Sequence, residues 1–350
     1  MTPTTASSTA STKTKDFVIA TMGSHSALQI LKGARDEGMR NLVICKRGKE
    51  SPYRHYPVAD EMILVDDWSN WDAALEAELK KRNAIVIPHG SFISYLGHER
   101  VKTMTTMYYG TKEILEWESN RRLERQWLQK AEILQPRVFD KPEDIDRAAI
   151  VKFHGAGGGF GYFVANSAAQ FYEVKNRKYP EENDFVIQEY IVGVPMYVHY
   201  FHSALTGELE IMSMDKRYES NADSIGRTRA EDQLAANIHT SYTIVGNMPV
   251  VARESLLPEL FAMGERAVKT SKELCGKGLF GPFCLEMIVT RKLHLYVFEI
   301  SARIVAGTNP FIEGSPYTAL KYDVPMSTGR RIAREIKEAI VAGRLDEILG

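Results

Sequence analysis

The chain has 350 residues, with 44 Lys+Arg against 45 Asp+Glu and so a formal net charge of -1; 44% of its residues are hydrophobic and 25% charged. That is the profile of a globular protein of about two or three packed units, and its neutrality excludes a broad basic face for nucleic acid. No run of about 18 apolar residues offers a membrane span. The cysteines Cys45, Cys275 and Cys284 are scattered. Their spacing makes neither a disulfide framework nor a zinc knuckle, so they read as inert thiols of a cytoplasmic protein.

Residues 1–15 are a low-complexity Ser/Thr stretch without an apolar block, expected to be a disordered tail. Structure is expected from Asp16. Apolar runs at 17–20, 42–45, 62–65 and 84–88 alternate with helical patterns at 28–34 and 71–81, the signature of an open parallel α/β sheet. Ser24 or Ser26 is expected to cap the first helix. Such sheets bind ligands beyond the carboxyl ends of their strands, where His25 and Ser91 stand; His89 borders the same place. A helix is expected over 118–131, then strands near 149–153, 185–188, 196–201, 209–213, 283–289 and 295–300, and an amphipathic helix over 329–342. His199 and His202 read as ordinary core or surface histidines, and the Arg330/Arg331/Arg334 cluster as a helix face at a subunit contact.

The densest glycine cluster, Gly155 to Gly161, lies between two apolar runs and follows Lys152. Glycines there let backbone N–H groups approach an anion. The pattern matches neither a P-loop nor a dinucleotide fingerprint. A hairpin lid over a triphosphate fits it, with Gly157, Gly158 and Gly159 at its tip and Lys152 aimed at phosphate oxygens. The strand ending Gln188-Glu189-Tyr190-Ile191 is suited to presenting backbone groups to an adenine edge and a carboxylate to a ribose.

In the run 295–303, a period of two puts Glu299, Ser301 and Arg303 on one face. Glu286 stands in an otherwise apolar strand just before it. Two such carboxylates on neighbouring strands repel unless neutralised. Mg²⁺ bridging nucleotide phosphates is suited to that task, because it takes one or two carboxylates plus phosphate oxygens. Arg303 would then hold the γ-phosphate.

Lys152, the glycine lid, the Gln188–Ile191 hinge and the Glu286/Glu299 pair occur in the order of the ATP-grasp superfamily, which the chain resembles. Its last motif reads Glu299-x-Ser301-x-Arg303, with serine where the general pattern has asparagine. The runs Thr21–Gly33, Met214–Asn221, Val245–Val251, Arg253–Leu257, Gly281–Cys284, Phe298–Arg303, Gly307–Asn309 and Gly329–Ile336 are similar to those of the archaeal 5-formaminoimidazole-4-carboxamide ribonucleotide synthetases.

The resemblance implies an α/β and α+β chain: an N-terminal open parallel α/β (pre-ATP-grasp) domain at 16–120, then an ATP-grasp domain at 121–350 with its lid at about 148–205. It implies a homo-oligomeric ligase of IMP biosynthesis that formylates aminoimidazole carboxamide ribonucleotide with ATP and formate. On this reading His25, Ser91 and Asn247 contact the ribotide, with His25 and Arg303 catalytic. Lys152, Glu189, Tyr190, Ile191 and Glu219 bind ATP, and Glu286 with Glu299 holds Mg²⁺ or Mn²⁺. Two alternatives stay open: an ATP-grasp ligase taking a larger acid, and a silent nucleotide-binding regulator.

Overall fold

The computed structural model describes residues 14–157, 160–238 and 241–350. Gly158, Gly159 and most of the expected tail lie outside them. The first sheet is parallel, in the order β3-β2-β1-β4-β5. Its strands are β1 Val18–Met22, β2 Arg40–Lys46, β3 Glu61–Val65, β4 Ala84–Ile87 and β5 Met107–Tyr108. β1 and β4 are buried throughout, as the continuous apolar runs require of strands covered on both faces.

The helix expected at 118–131 is two helices, Ile114–Ser119 and Arg121–Lys130. Asn120 divides them: its side chain accepts the N–H groups of Arg122 and Leu123, an N-cap worth about 1 kcal/mol. Trp127 of the second helix is fully buried and donates its indole N–H to Ala267 O.

A four-stranded antiparallel sheet follows, ordered β6-β9-β7-β8, from β6 Val138–Phe139, β7 Ala149–Gly157, β8 Phe160–Ala165 and β9 Phe185–Glu189. An aromatic cluster of Phe153, Phe163, Phe171 and Phe185 fills it. The third sheet is antiparallel, ordered β12-β11-β10-β13-β14. Its strands are β10 Val194–His202, β11 Leu209–Glu219, β12 Ile244–Pro249, β13 Gly281–Val289 and β14 Leu295–Ser301. The lid sheet thus ends at Glu189, short of the expected 205, because β10 pairs on both edges with β11 and β13.

The C-terminal part does not stay with the third sheet. The helix Thr328–Ala342 lies against the helix Ala27–Asp36 of the first domain, where Ile332 and Ile336 share a core with Ile19 and Ile30. The helices cross at Gly33 and Gly329: a Cβ on Gly33 would collide with the backbone of Gly329 and Arg330, and one on Gly329 with that of Gln29. Around the crossing, Glu37 binds Arg330, Arg334 and Lys337. Arg331 binds Glu210 and Glu335 while its guanidinium lies 4.2 Å over Phe201. The cluster expected at a subunit contact is therefore an intramolecular seam. A buried run of charge is satisfied only by nearby opposite charge, and the first domain and β11 supply it.

Candidate active site

The turn from β1 to the helix Ala27–Asp36 holds His25 in the left-handed region, at φ 44. Its Nδ1 lies 2.6 Å from Ser91 Oγ, which lies 2.8 Å from Ser24 Oγ. Ser91 is placed by the turn after β4, where His89 Nδ1 caps the N–H of Ser91 and His89 Nε2 bonds Met22 O at 2.8 Å. His89 is wholly buried, and burial pushes its pKa down to about 3, so it is a fixed neutral ring. It stacks at 6.0 Å and 7° beneath His25. A side chain at Gly90 would strike the His25 ring. Burial, then Arg303 and Arg217, lowers the pKa of His25. The expected serine cap is absent: Ser26 is the N-cap residue but makes no cap hydrogen bond, and its buried Oγ has no partner.

The third sheet presents polar side chains in register. Asp215, Tyr197, Glu286 and Glu299 oppose one another on β11, β10, β13 and β14, and Arg217 opposes Asn247. Cross-strand partners share a face, so these groups form one row. Glu286 is 8% exposed; burial and then the charge of Glu299 raise its pKa, against the pull of Arg217. Arg217 donates to Glu286 Oε1 at 3.0 Å and stacks 4.1 Å over the Tyr197 ring. Among the described residues no third His, Cys, Asp or Glu joins the carboxylates in a metal-binding group. Two opposed carboxylates, Glu286 buried and Glu299 half-buried, fit a divalent cation that completes its shell from phosphate.

The Asp215 end of the row belongs to a group that the periodicity of single strands missed. His199 Nε2 lies 2.8 Å from Asp215 Oδ1, and Asn247 donates to Asp215 Oδ2 at 2.7 Å. Both His199 and Asp215 are buried, and a Cβ at Gly307 would collide with them. Reading 212–217 with a period of two would have put Asp215 and Arg217 on one face; the histidine that meets Asp215 diagonally, from opposite Ser213, is a contact that only register reveals.

Arg303 is fixed rather than free. It pairs with Glu118 at 2.6 Å, and Glu118 also accepts the N–H of Ala302. Burial raises the pKa of Glu118, with Arg303 opposing. Its neighbour Glu124 accepts the N–H of Ile300, and burial followed by the charge of Glu299 raises its pKa to about 9.

On the lid side, Lys152 Nζ is 3.1 Å from Gln188 Oε1, and burial and then Arg121 lower its pKa. Gly157 pairs with Phe160 across the hairpin. Glu189 departs from expectation: its carboxylate is engaged by the N–H of Arg137 and by Arg147 rather than held open for a ribose. The N–H groups of Glu189 and Tyr190 go to Arg137 O and Ala148 O. Strand pairing consumed what the local motif left available. Glu219 ends β11, where burial and then Asp223 raise its pKa.

A family described as "Domain of unknown function (DUF1297)" matches residues 168–350, and one described as "Protein of unknown function (DUF1246)" matches residues 19–139. The chain is 54% identical over 337 residues to the 5-formaminoimidazole-4-carboxamide ribofuranosyl monophosphate synthetase of Pyrococcus horikoshii, covering 95% of this chain and 99% of that one. To the synthetase of the same name from Methanocaldococcus jannaschii it is 46% identical, covering 95% of each. It is similar in structure to an IMP biosynthesis protein, PurP, from Thermococcus kodakaraensis, with a TM-score of 0.76, 28% identity and coverage of 95% and 100%. An ADP complex of an N5-carboxyaminoimidazole ribonucleotide synthetase shares the fold, with a TM-score of 0.63, 17% identity and coverage of 92% and 77%.

Proposed function

The chain belongs to the 5-formaminoimidazole-4-carboxamide ribonucleotide synthetases, carbon–nitrogen ligases of purine biosynthesis with the ATP-grasp fold, and from that premise we propose that it joins formate to the 5-amino group of aminoimidazole carboxamide ribonucleotide, with ATP hydrolysed to ADP and phosphate. One observation carries this reading. A Cβ at Gly90 would lie 2.8 Å from the His25 ring and 3.5 Å from Arg303 Nη1, and His89 bridges Ile304, so the strand ends of the first domain meet the end of the strand that carries Glu299 at a single cleft.

In that cleft a formate oxygen attacks the γ-phosphorus, the bond to the β-bridging oxygen breaks, and ADP leaves. The ribotide amine then attacks the formyl carbon, phosphate leaves, and the amine gives up a proton. His25 is suited to accept it: burial and then Arg303 and Arg217 favour its neutral form, and the tautomer that donates Nδ1–H to Ser91 keeps the Nε2 lone pair free. Asn247 donates its amide to Asp215, which turns its carbonyl oxygen to N–H groups of the ribotide. The N–H groups of the first turn of Ala27–Asp36 suit the ribotide phosphate. Lys152 and the lid backbone about Gly157 face the triphosphate; the N–H of Ile191 suits the adenine, beside Tyr190, and Glu219 and Glu189 border the nucleoside. Glu286 and Glu299 would hold Mg²⁺ or Mn²⁺, which when bound supplies positive charge to the transferred phosphoryl group. Arg303 adds a fixed positive charge beside it.

The test is ADP release measured with the ribotide and a panel of acids. Formate is expected to support turnover and larger acids to fail. Strict dependence on another acid, or none on any acid, would overturn the reading.

A further inference from the structure

We propose that Arg217 is the seat of the small carboxylate substrate, formate on the reading above, from which this inference takes its substrate. The two guanidiniums that bear on His25 differ in what they are tied to. Arg303 pairs with Glu118, a buried carboxylate that also takes a backbone N–H and so keeps its place. Arg217 pairs with Glu286, one of the two carboxylates that suit the cation.

When a divalent cation takes up the charge of Glu286, the strongest partner of Arg217 is withdrawn. Asp215 does not replace it. Its nearest oxygen is 3.8 Å from Arg217 Nε, beyond hydrogen-bond reach, and both its oxygens already serve His199 and Asn247. Arg217 Nε is buried and has no hydrogen-bond partner. Of the five N–H donors of a guanidinium, the structure pairs one, to Glu286. A mostly buried cation left in that state favours a planar monoanion, and the guanidinium fork matches a carboxylate.

The surroundings restrict the approach. The Tyr197 ring covers one face of the guanidinium, and the side chain is only 13% exposed. An acid therefore meets the terminal edge of Arg217. At that edge it lies between Asn247, the register partner of Arg217, and the Glu286/Glu299 pair. This is the position required of a group that attacks the γ-phosphorus and is then attacked by the ribotide amine.

The experiment replaces Arg217 with lysine, which keeps the positive charge beside Glu286 and loses the fork, and in parallel makes Arg217→Gln. Formate KM is expected to rise about 10- to 100-fold in Arg217→Lys, the scale of one lost charge-assisted hydrogen bond, while the KM values for ATP and ribotide stay within about threefold. A second readout needs no turnover. Sodium formate, against sodium chloride, should raise the melting temperature of wild type loaded with Mg²⁺ and a non-hydrolysable ATP analogue, and raise that of neither variant. A formate KM unchanged in Arg217→Lys, or a rise confined to ATP, overturns the seat; should Arg217→Gln fail to fold, the lysine variant decides. Wild type that releases no ADP with formate would instead sink the functional reading itself.

Discussion

Two clusters of buried charge occupy different parts of the molecule, and they are built on different rules. At the seam between the helices Ala27–Asp36 and Thr328–Ala342, Glu37 meets Arg330, Arg334 and Lys337. Burial opposes ionisation there, yet the hydrogen bonds from Arg334 and Arg330 prevail and hold Glu37 below the usual carboxylate value. In the cleft the balance is reversed. Glu286, Glu118 and Glu124 all have raised pKa values, led in each case by burial. A compensated cluster fastens two domains. An undercompensated one stores a demand for positive charge, which an incoming cation or substrate complex then meets.

The largest expected effect comes from Glu299→Gln. It removes one of the two opposed carboxylates without changing shape, and turnover should fall roughly a thousandfold, the scale of lost metal-ion charge stabilisation. Without metal, the same variant should melt at or above the wild-type temperature, because it relieves repulsion with Glu286. A turnover rate matching wild type would show that Glu299 holds no metal.

Glu37→Gln should do the opposite. Removing the carboxylate beneath three partly exposed cations is expected to cost about 2 kcal/mol, below the range for fully buried pairs. Thermal melting reads it as a drop, with KM values unchanged in enzyme that remains folded. A lowered kcat at full stability would mean that the seam participates in catalysis.

The smallest effect concerns slope. Glu124 is raised from 4.5 to about 9 in the fold, so its protonated form favours the folded state. That contribution is fully present below the unfolded value and lost as pH rises towards 9. Glu37, held low, contributes above its unfolded value and loses that contribution as pH falls. Above about pH 7, where His25 and His89, both lowered in the fold, are neutral folded or unfolded, the melting temperature of metal-free enzyme should therefore decline towards pH 9, and Glu124→Gln should flatten the decline. A slope identical in both proteins would remove Glu124 from the explanation.

Much of this was legible in one dimension. The alternation of apolar runs and helices in residues 17–88 is sufficient for a parallel sheet, because strands buried on both faces must be apolar throughout. The isolated Glu286 and the period of Glu299, Ser301 and Arg303 announced the carboxylate row, and direct Glu286–Glu299 pairing bears out that they oppose one another. The motif runs Gly307–Asn309 and Gly329–Ile336 also stand out in the sequence, but their structural work does not. Gln29 reaches Thr308 and Asn309, and Gly329 lets two helices touch. These residues hold the domains at the spacing the cleft needs.

What the sequence by itself determined is the set of local elements and the inventory of groups, since periodicity and residue chemistry act within a few residues. Partnership was decided only by the tertiary structure. Asn120 divides a helix by a local cap, but Arg303 finds Glu118, Arg217 finds Glu286, and His199 finds Asp215 through strand register and domain docking. The energy of a buried charge depends on what lies within a few ångströms of it. Those neighbours come from segments up to about 300 residues apart, as Glu37 and Lys337 do, and no spacing along the chain encodes them.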